Sequence, residues 1–333
     1  MKIIKPSFKE MYDDNPQKHI EKIARICYKS EDLITDESHK KMIKNLYDKK
    51  HWAMLEHFIF VYQCNTPNNL FFKILSNEKY ITSSTTEIIS CNDEGNFETK
   101  LRYILSFSAR SLLDLLEAYK TNSYMKEHLI ELCEQIVLDY DCDELFGNKF
   151  KKVHRNNWTK IDDINTLIPE EQWMHGWKSI KFICDRGVSH EIVRHRDSSY
   201  AQESTRYCNY SKDKFDNNIT VIDPLMFDGE AELQSVERNK YHVWRDAIKA
   251  SEKAYFELLE LGATPQEARS VLGNSLKTEI IMTAHNYEWG HFFELRCDKA
   301  AHPQMRELAL PLFDYFVECD NTLFNENAIK FNK

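Results

Sequence analysis

Residues Arg186–Tyr207 read RGVSHEIVRHRDSSYAQESTRY. Four arginines (Arg186, Arg194, Arg196, Arg206) stand here against three acids (Glu191, Asp197, Glu203). The chain as a whole carries 44 Lys and Arg against 53 Asp and Glu, a net charge of −9. The stretch is therefore a local reversal of sign. A guanidinium offers five donors in a planar fork and suits phosphate and carboxylate groups. Ser204 and Arg206 lie two residues apart, so an extended backbone would turn hydroxyl and cation to one side, ready for a monophosphate. The plainer reading of any arginine cluster is a solvated, salt-bridged helix end. On the N-terminal side, Trp177–Cys184 reads as a strand and Gly187–Arg194 as a helix, which places the cluster just after a strand-to-helix turn.

Several routes to nucleotide chemistry are closed. The 333 residues include only 8 glycines, no two closer than eleven residues. Neither G-x-G-x-x-G nor G-x-x-x-x-G-K-[ST] fits such spacing, so any phosphate is held without a glycine cradle. The acidic net charge argues against a general nucleic-acid binder. His190 and His195 are five apart, about 140° around a helix, whereas a zincin needs i,i+4 spacing, and no metal is expected. Nine cysteines, an odd number with no C-x-x-C pair, suit reduced thiols in a cytoplasmic compartment. MKIIKPSFKE lacks a signal-peptide core, and no run of about 18 apolar residues is present, so no membrane association is expected.

Further out, apolar residues at Ile20, Ile23, Ala24 and Cys27 repeat at helical spacing, predicting a helix over Pro16–Lys29. Thr35–Lys50 reads as a second helix with Thr35 as N-cap. Leu55–Cys64, Ile81–Ser90, Leu101–Phe107 and Ile219–Ile222 read as strands, and Ser111–Tyr119 and Ser123–Tyr140 as helices. Residues 141–172 are polar and irregular. Glu230–Leu261 is one long amphipathic helix stopped by Gly262. Thr264-Pro265-Gln266-Glu267 is a capping box with proline at N1, opening another helix. Leu276–Thr283 is apolar, either strand or buried helix, and a final helix runs from Pro303 to about Phe324. The fold expected is α+β, a central mostly antiparallel sheet flanked by long helices.

Arg194-His195-Arg196, seven residues, then Ser204 is an R-H-R-x7-S pattern. His51-Trp52-Ala53-Met54-Leu55-Glu56-His57 is similar to a segment H-x-[ST]-P-x-E-H, without its hydroxyl residue and proline. Gln266-Glu267-Ala268-Arg269-Ser270-Val271-Leu272 follows E-x-A-R-x-V-L with glutamine in the first place. His291-Phe292-Phe293-Glu294-Leu295-Arg296 follows an h-F-h-x-L-R stretch. These motifs, in this order, resemble the flavin-dependent thymidylate synthase family over residues 10–65 and 173–324.

The resemblance implies one domain spanning 1–333, with 66–171, roughly 100 residues, as an insertion relative to compact members. It implies FAD ligands at His51, Arg194, His195, Arg196, Gln202, His285 and His291. It implies dUMP ligands at Glu191, Arg194, Gln202, Ser204, Thr205, Arg206, Arg269 and Arg296, with Arg296 also catalytic through its hydrogen bond to the uracil. The implied reaction is methylation of dUMP to dTMP, with methylenetetrahydrofolate as carbon donor and FAD, reduced by NADPH, as hydride source. A homotetramer is implied as well. Three departures stand out: His285-Asn286-Tyr287 where N-x-R is usual, Glu191 where glutamine is usual, and Leu272-Gly273 where L-P is usual. Two other readings remain open, a flavin- and folate-dependent pyrimidine hydroxymethylase on the same scaffold and a non-catalytic nucleotide- or RNA-binding protein.

Overall fold

The structure, a computed structural model, describes residues 1–65, 69–91, 97–206, 208–212, 217–227, 239–325 and 327–332. Its strands are β1 (Lys2–Ile4), β2 (Ser7–Met11), β3 (Ile59–Cys64), β4 (Ile81–Cys91), β5 (Phe97–Ser108), β6 (Trp158–Lys160), β7 (Trp177–Asp185), β8 (Ser199–Gln202), β9 (Thr220–Ile222) and β10 (Lys277–His285). They form an antiparallel sheet β2-β7-β10-β8, a second antiparallel sheet β4-β5-β3-β6, and a parallel pair β1-β9. The α+β, antiparallel expectation holds, but the single central sheet is corrected to two. The long helices are Ser123–Tyr140, Lys240–Glu260 and Pro303–Cys319.

β10 explains how the two largest cores among the described residues are divided. Its sequence KTEIIMTAH is buried on both faces. Side chains alternate along a strand. Ile280, Met282 and Ala284 therefore join Ile180, Phe182 and the aromatic helices Asn286–Arg296 and Pro303–Cys319 in one core. Ile281, on the opposite face, joins the other core, with helix Pro16–Tyr28 and the second sheet. On that same face Glu279, Thr283 and His285 are polar and buried, and each has a specific partner described below. The second sheet is stitched to helix Pro169–His175 by polar contacts. His175 lies between Ser106 Oγ (2.9 Å) and Ser84 Oγ (2.8 Å), and Arg102 pairs with the buried Glu171. β3 sits inside this sheet, with strands of the 66–171 segment on both sides.

Local chemistry fixes most element ends. Asn15 accepts hydrogen bonds from the Gln17 and Lys18 N–H groups, and Pro16 occupies the first turn of its helix. The capping box at Thr264 forms as read from the sequence. Gly262 takes φ +92° after helix Lys240–Glu260, the left-handed conformation that lacks a Cβ penalty. Residues 230–238 of the longer helix expected there, and Tyr207, lie outside the described residues.

Four expectations are corrected. The second helix runs Ser38–Asp48, because the Ser38 hydroxyl takes the Thr35 N–H (2.8 Å) and holds Thr35 outside it. The strand expected from Leu55 begins at Ile59, because Leu55 and Glu56 belong to a 3₁₀ turn, Trp52–Glu56, that buries Met54 and Leu55. Residues 141–172 include β6 and most of helix Pro169–His175. The last helix stops at Cys319, where Asp320 Oδ1 accepts from the N–H groups of Thr322 and Leu323 and turns the chain.

Candidate active site

β7 and β10 pair with Asp185 opposite Lys277 and Trp177 opposite His285. Helix Arg186–Ile192 leaves one end of this pair and helix Asn286–Arg296 leaves the other. Both pack on the same core face, so they run back toward each other and Arg296 arrives at the end of the first helix. Asp185 caps that first helix by accepting from the Val188 N–H (2.7 Å). Arg296 Nη1 donates to Glu191 Oε2 (3.1 Å), Nη2 to the Glu191 carbonyl (2.9 Å), and Nε to His195 Nε2 (3.0 Å). Burial lowers the Arg296 pKa below its ordinary value and Glu191 works against that shift. His195 is buried. Desolvation, then the Arg296 charge, pushes its pKa down to about 4, so it is neutral at pH 7. Because its Nε2 accepts from Arg296, its proton sits on Nδ1, a buried atom with no hydrogen-bond partner among the described residues. The His291 ring meets the His195 ring edge-on at 5.7 Å.

A second cluster forms around Ser204–Arg206. The extended geometry expected for this stretch is corrected to a turn. The Arg206 N–H reaches back to Ser204 Oγ (3.3 Å), so local hydroxyl-to-backbone bonding wins over extension. Arg269 Nη1 donates to Thr205 Oγ1 (3.2 Å), and Arg206 Nε donates to Gln266 Oε1 (3.0 Å). Gln266, the departure in E-x-A-R, thus has its own partner in the motif loop. Arg206 and Arg269 are exposed. The loop is anchored from behind. Ser204 N–H donates to the Cys27 carbonyl (3.1 Å), and the buried Glu203 accepts from Lys277 Nζ (2.8 Å). Lys277 also bonds Glu279 (2.7 Å), which pairs with Lys29 and Lys181. Burial raises the Glu279 pKa, but the Lys277 and Lys29 charges outweigh it and hold it at about 2. Between the two clusters, Gln202 Nε2 donates to Ser189 Oγ (2.9 Å) and Thr278 Oγ1 (3.2 Å).

Arg194 and Arg196 are exposed on either side of the buried His195. Arg196 also borders a cleft of about 370 Å³ that contains Glu56, Tyr80, Arg110, His285 and Tyr287. Glu56 accepts from Ser199 Oγ (3.0 Å) and from Arg110 Nη1 (2.9 Å), and burial raises its pKa. His285 is buried, contacts Thr82 Oγ1 at 3.4 Å, stacks on Tyr287 and is pushed by burial to about 4. The structure thus places His285 in the cleft and His291 at His195. His51 is exposed at the end of helix Ser38–Asp48, where its N–H closes onto the Leu46 carbonyl. Its ring makes no hydrogen bond to the R-H-R segment among the described residues. His57, the other histidine of that motif, is interior and bonds Thr283 Oγ1 (2.7 Å).

A family profile described as thymidylate synthase complementing protein matches residues 10–75 and 175–319. The chain belongs to this family, the flavin-dependent thymidylate synthases. Among its relatives is a flavin-dependent thymidylate synthase of Geobacter sulfurreducens, 33% identical over 141 residues, which are 42% of this chain and 56% of the relative. One from Pyrococcus abyssi is 29% identical over 131 residues, 39% of this chain and 50% of the relative. One from Mycobacterium sp. (strain KMS) is 33% identical over 144 residues, 38% and 52%. The chain spans about half the length of the curated relatives it matches. Among the described residues, no helix is long and apolar enough to cross a membrane.

The family name implies a flavin, and the residues fit FAD. Two exposed guanidiniums flank a buried imidazole whose N–H is unpartnered, a donor set suited to a pyrophosphate beside a flat ring. Glu56, Arg110 and Gln266 were absent from the candidate residues drawn from sequence. Glu56 and Gln266 lay within quoted motifs, and only their hydrogen-bond partners mark them.

Proposed function

We propose that the chain methylates dUMP to dTMP, taking the one-carbon unit from methylenetetrahydrofolate and the hydride from FAD reduced by NADPH. The observation that carries this reading is the convergence of two distant motif arginines on one segment: Arg296 on Glu191 and His195, and Arg269 on Thr205 beside Arg206. Arg206, Arg269 and Ser204 receive the nucleotide phosphate. Arg296, held on three nitrogens, presents its remaining N–H groups to the uracil and stabilises negative charge on the base, which raises the nucleophilicity of C5. Arg194, His195 and Arg196 hold FAD, with Gln202, His285, His291 and His51 around it. FAD supplies the hydride when bound. The neutral His195 keeps its Nε2 as an acceptor for Arg296 and so fixes the guanidinium plane.

The chain acts as one domain in the cytoplasm, with 66–171 as an insertion that completes the sheet begun by β3. It works as a homotetramer on small-molecule substrates. Product analysis tests the reading. Purified, flavin-loaded protein given dUMP, methylenetetrahydrofolate and NADPH is expected to yield dTMP. Hydroxymethyl-dUMP would instead establish the hydroxymethylase, and colourless protein that takes up no FAD would exclude both enzymes.

A further inference from the structure

Behind the Ser204–Arg206 turn lies a set of charges that the proposed reaction does not use. Glu203, Glu279, Lys277 and Lys29 fill no fixed position of the quoted motifs. Both carboxylates are buried, and each of the two lysine side chains is only 14% exposed. Lys277 stands between the carboxylates, 2.8 Å from Glu203 Oε2 and 2.7 Å from Glu279 Oε1. Glu279 Oε1 also pairs with Lys29, and Glu279 Oε2 with Lys181 at 3.3 Å. Lys29 lies 3.6 Å from Glu31 as well. The set joins three segments distant in sequence: the C-terminal end of helix Pro16–Tyr28, the start of β10 and the chain just after β8.

The backbone follows the same route. β8 pairs with β10 as far as Gln202, opposite Ile280. The Glu203 N–H adds one more bond, to the Glu279 carbonyl (2.8 Å). The next N–H, that of Ser204, leaves the sheet for the Cys27 carbonyl (3.1 Å). Cys27 sits in the last turn of helix Pro16–Tyr28, where carbonyls lack partners within the helix. Lys29 ends that helix in the left-handed conformation, φ 51° and ψ 56°, with its N–H turned back onto the Arg25 and Ile26 carbonyls. Lys29 therefore acts twice: its backbone closes the helix beside the Cys27 acceptor, and its ammonium meets Glu279.

Two carboxylates compete for the Lys277 ammonium, and a buried charge is costly unless it is paired. With Lys29 on Glu279, Lys277 can stay on Glu203. Without Lys29, Lys277 is drawn toward Glu279 and Glu203 loosens. Glu203 directly precedes Ser204, whose hydroxyl accepts the Arg206 N–H, so the loosening reaches the turn itself. We propose that Lys29 and Lys277 are positioning residues for the nucleotide phosphate: they hold Glu203 and thereby set the Ser204–Arg206 turn in the geometry that receives a phosphate monoester. The proposal deepens the functional reading above and rests on it. The uracil is assigned to Arg296, outside this set, so the effect is confined to ligands that carry the phosphate.

The test is calorimetric titration of the flavin-loaded full chain with dUMP and, separately, with deoxyuridine, which lacks the phosphate. Glycine favours a positive φ, so Lys29→Gly keeps the helix end and removes only the ammonium. It is expected to weaken dUMP about three- to tenfold. Lys29→Arg, which keeps the charge, should restore most of the affinity. The double variant Glu203→Leu/Lys277→Met removes matched partners together, which limits its effect on folding, and should weaken dUMP about tenfold or more. It keeps the test sound should Lys29→Gly fail to fold. Deoxyuridine affinity and flavin content should stay at wild-type values in all three. Amide exchange at Ser204 in the ligand-free chain should quicken in Lys29→Gly and in the double variant. Wild-type dUMP affinity in those two overturns the proposal, even where dTMP formation stands. Equal weakening of dUMP and deoxyuridine overturns it too, since that is what a merely structural role would give. The expected pattern in a chain that forms no dTMP supports the positioning role and rejects the reaction.

Discussion

The two arginine clusters of the site are built differently. Around Arg296 the guanidinium is largely buried, and each of its nitrogens already has a protein partner. Around Arg206 the cations are exposed and rest on neutral oxygens of Thr205 and Gln266. The first cluster is organised by the protein alone, and on the proposed reading the second receives the nucleotide phosphate. Pre-organised donors act on charge that develops during reaction, while exposed cations act on charge the substrate already carries. On the proposed reading, the contrast divides turnover from binding between two sets of side chains.

The strongest way to break that division is Arg296→Ala. Loss of one such donor is expected to cut turnover by about 10²–10³-fold, with flavin content and fold retained. Single-turnover dTMP formation measures it, and near-normal turnover would end the distinction. Arg206→Ala should weaken dUMP by about ten- to a hundredfold, the value of charge-assisted hydrogen bonds, with flavin retained. Equilibrium dialysis reads this directly, and loss of flavin with normal dUMP affinity would contradict it.

Acid should expose the buried side of the molecule first. Burial holds His19 at about 4, and His57 and His175 at about 3, against about 6.5 in an unfolded chain. The unfolded state therefore binds more protons below pH 6.5. Stability is full above that pH and falls as pH drops toward 4, by up to about 1.4 kcal/mol per pH unit for each group. Urea midpoints at pH 7 and pH 5 test this, and equal midpoints would show that these rings are not held neutral. The smallest expected effect is that of Glu191→Gln. It keeps a carbonyl oxygen for Arg296 and the backbone contact, so turnover should fall by less than about tenfold. A loss as large as that of Arg296→Ala would show that the charge, rather than the positioning, is what matters.

Most chain segments were legible from periodicity and caps, since Asn15, Thr264 and Gly262 act within a few residues of their own positions. The motif arginines were legible as a family pattern. What escaped was long-range. Arg110 lies 54 residues from Glu56, and no local pattern links them. The split into two sheets also escaped, because β10 has the same apolar run whether one or two cores flank it. The turn at Ser204–Arg206 escaped because the Ser204 hydroxyl competes with extension only once Cys27 and Arg269 arrive from elsewhere.

The buried charges behind the motif loop constrain how this chain can drift. Glu203 and Glu279 share Lys277, and Glu279 also holds Lys29 and Lys181. Removing one partner strands a charge in the interior at a cost of about 3–5 kcal/mol, whereas replacing matched partners together can be close to neutral. Substitutions here should consequently be accepted in pairs. In a library selected for dTMP-dependent growth, Glu203 and Lys277 would change jointly or not at all, while Arg206, a few residues away on the surface, would vary alone and fail on function alone.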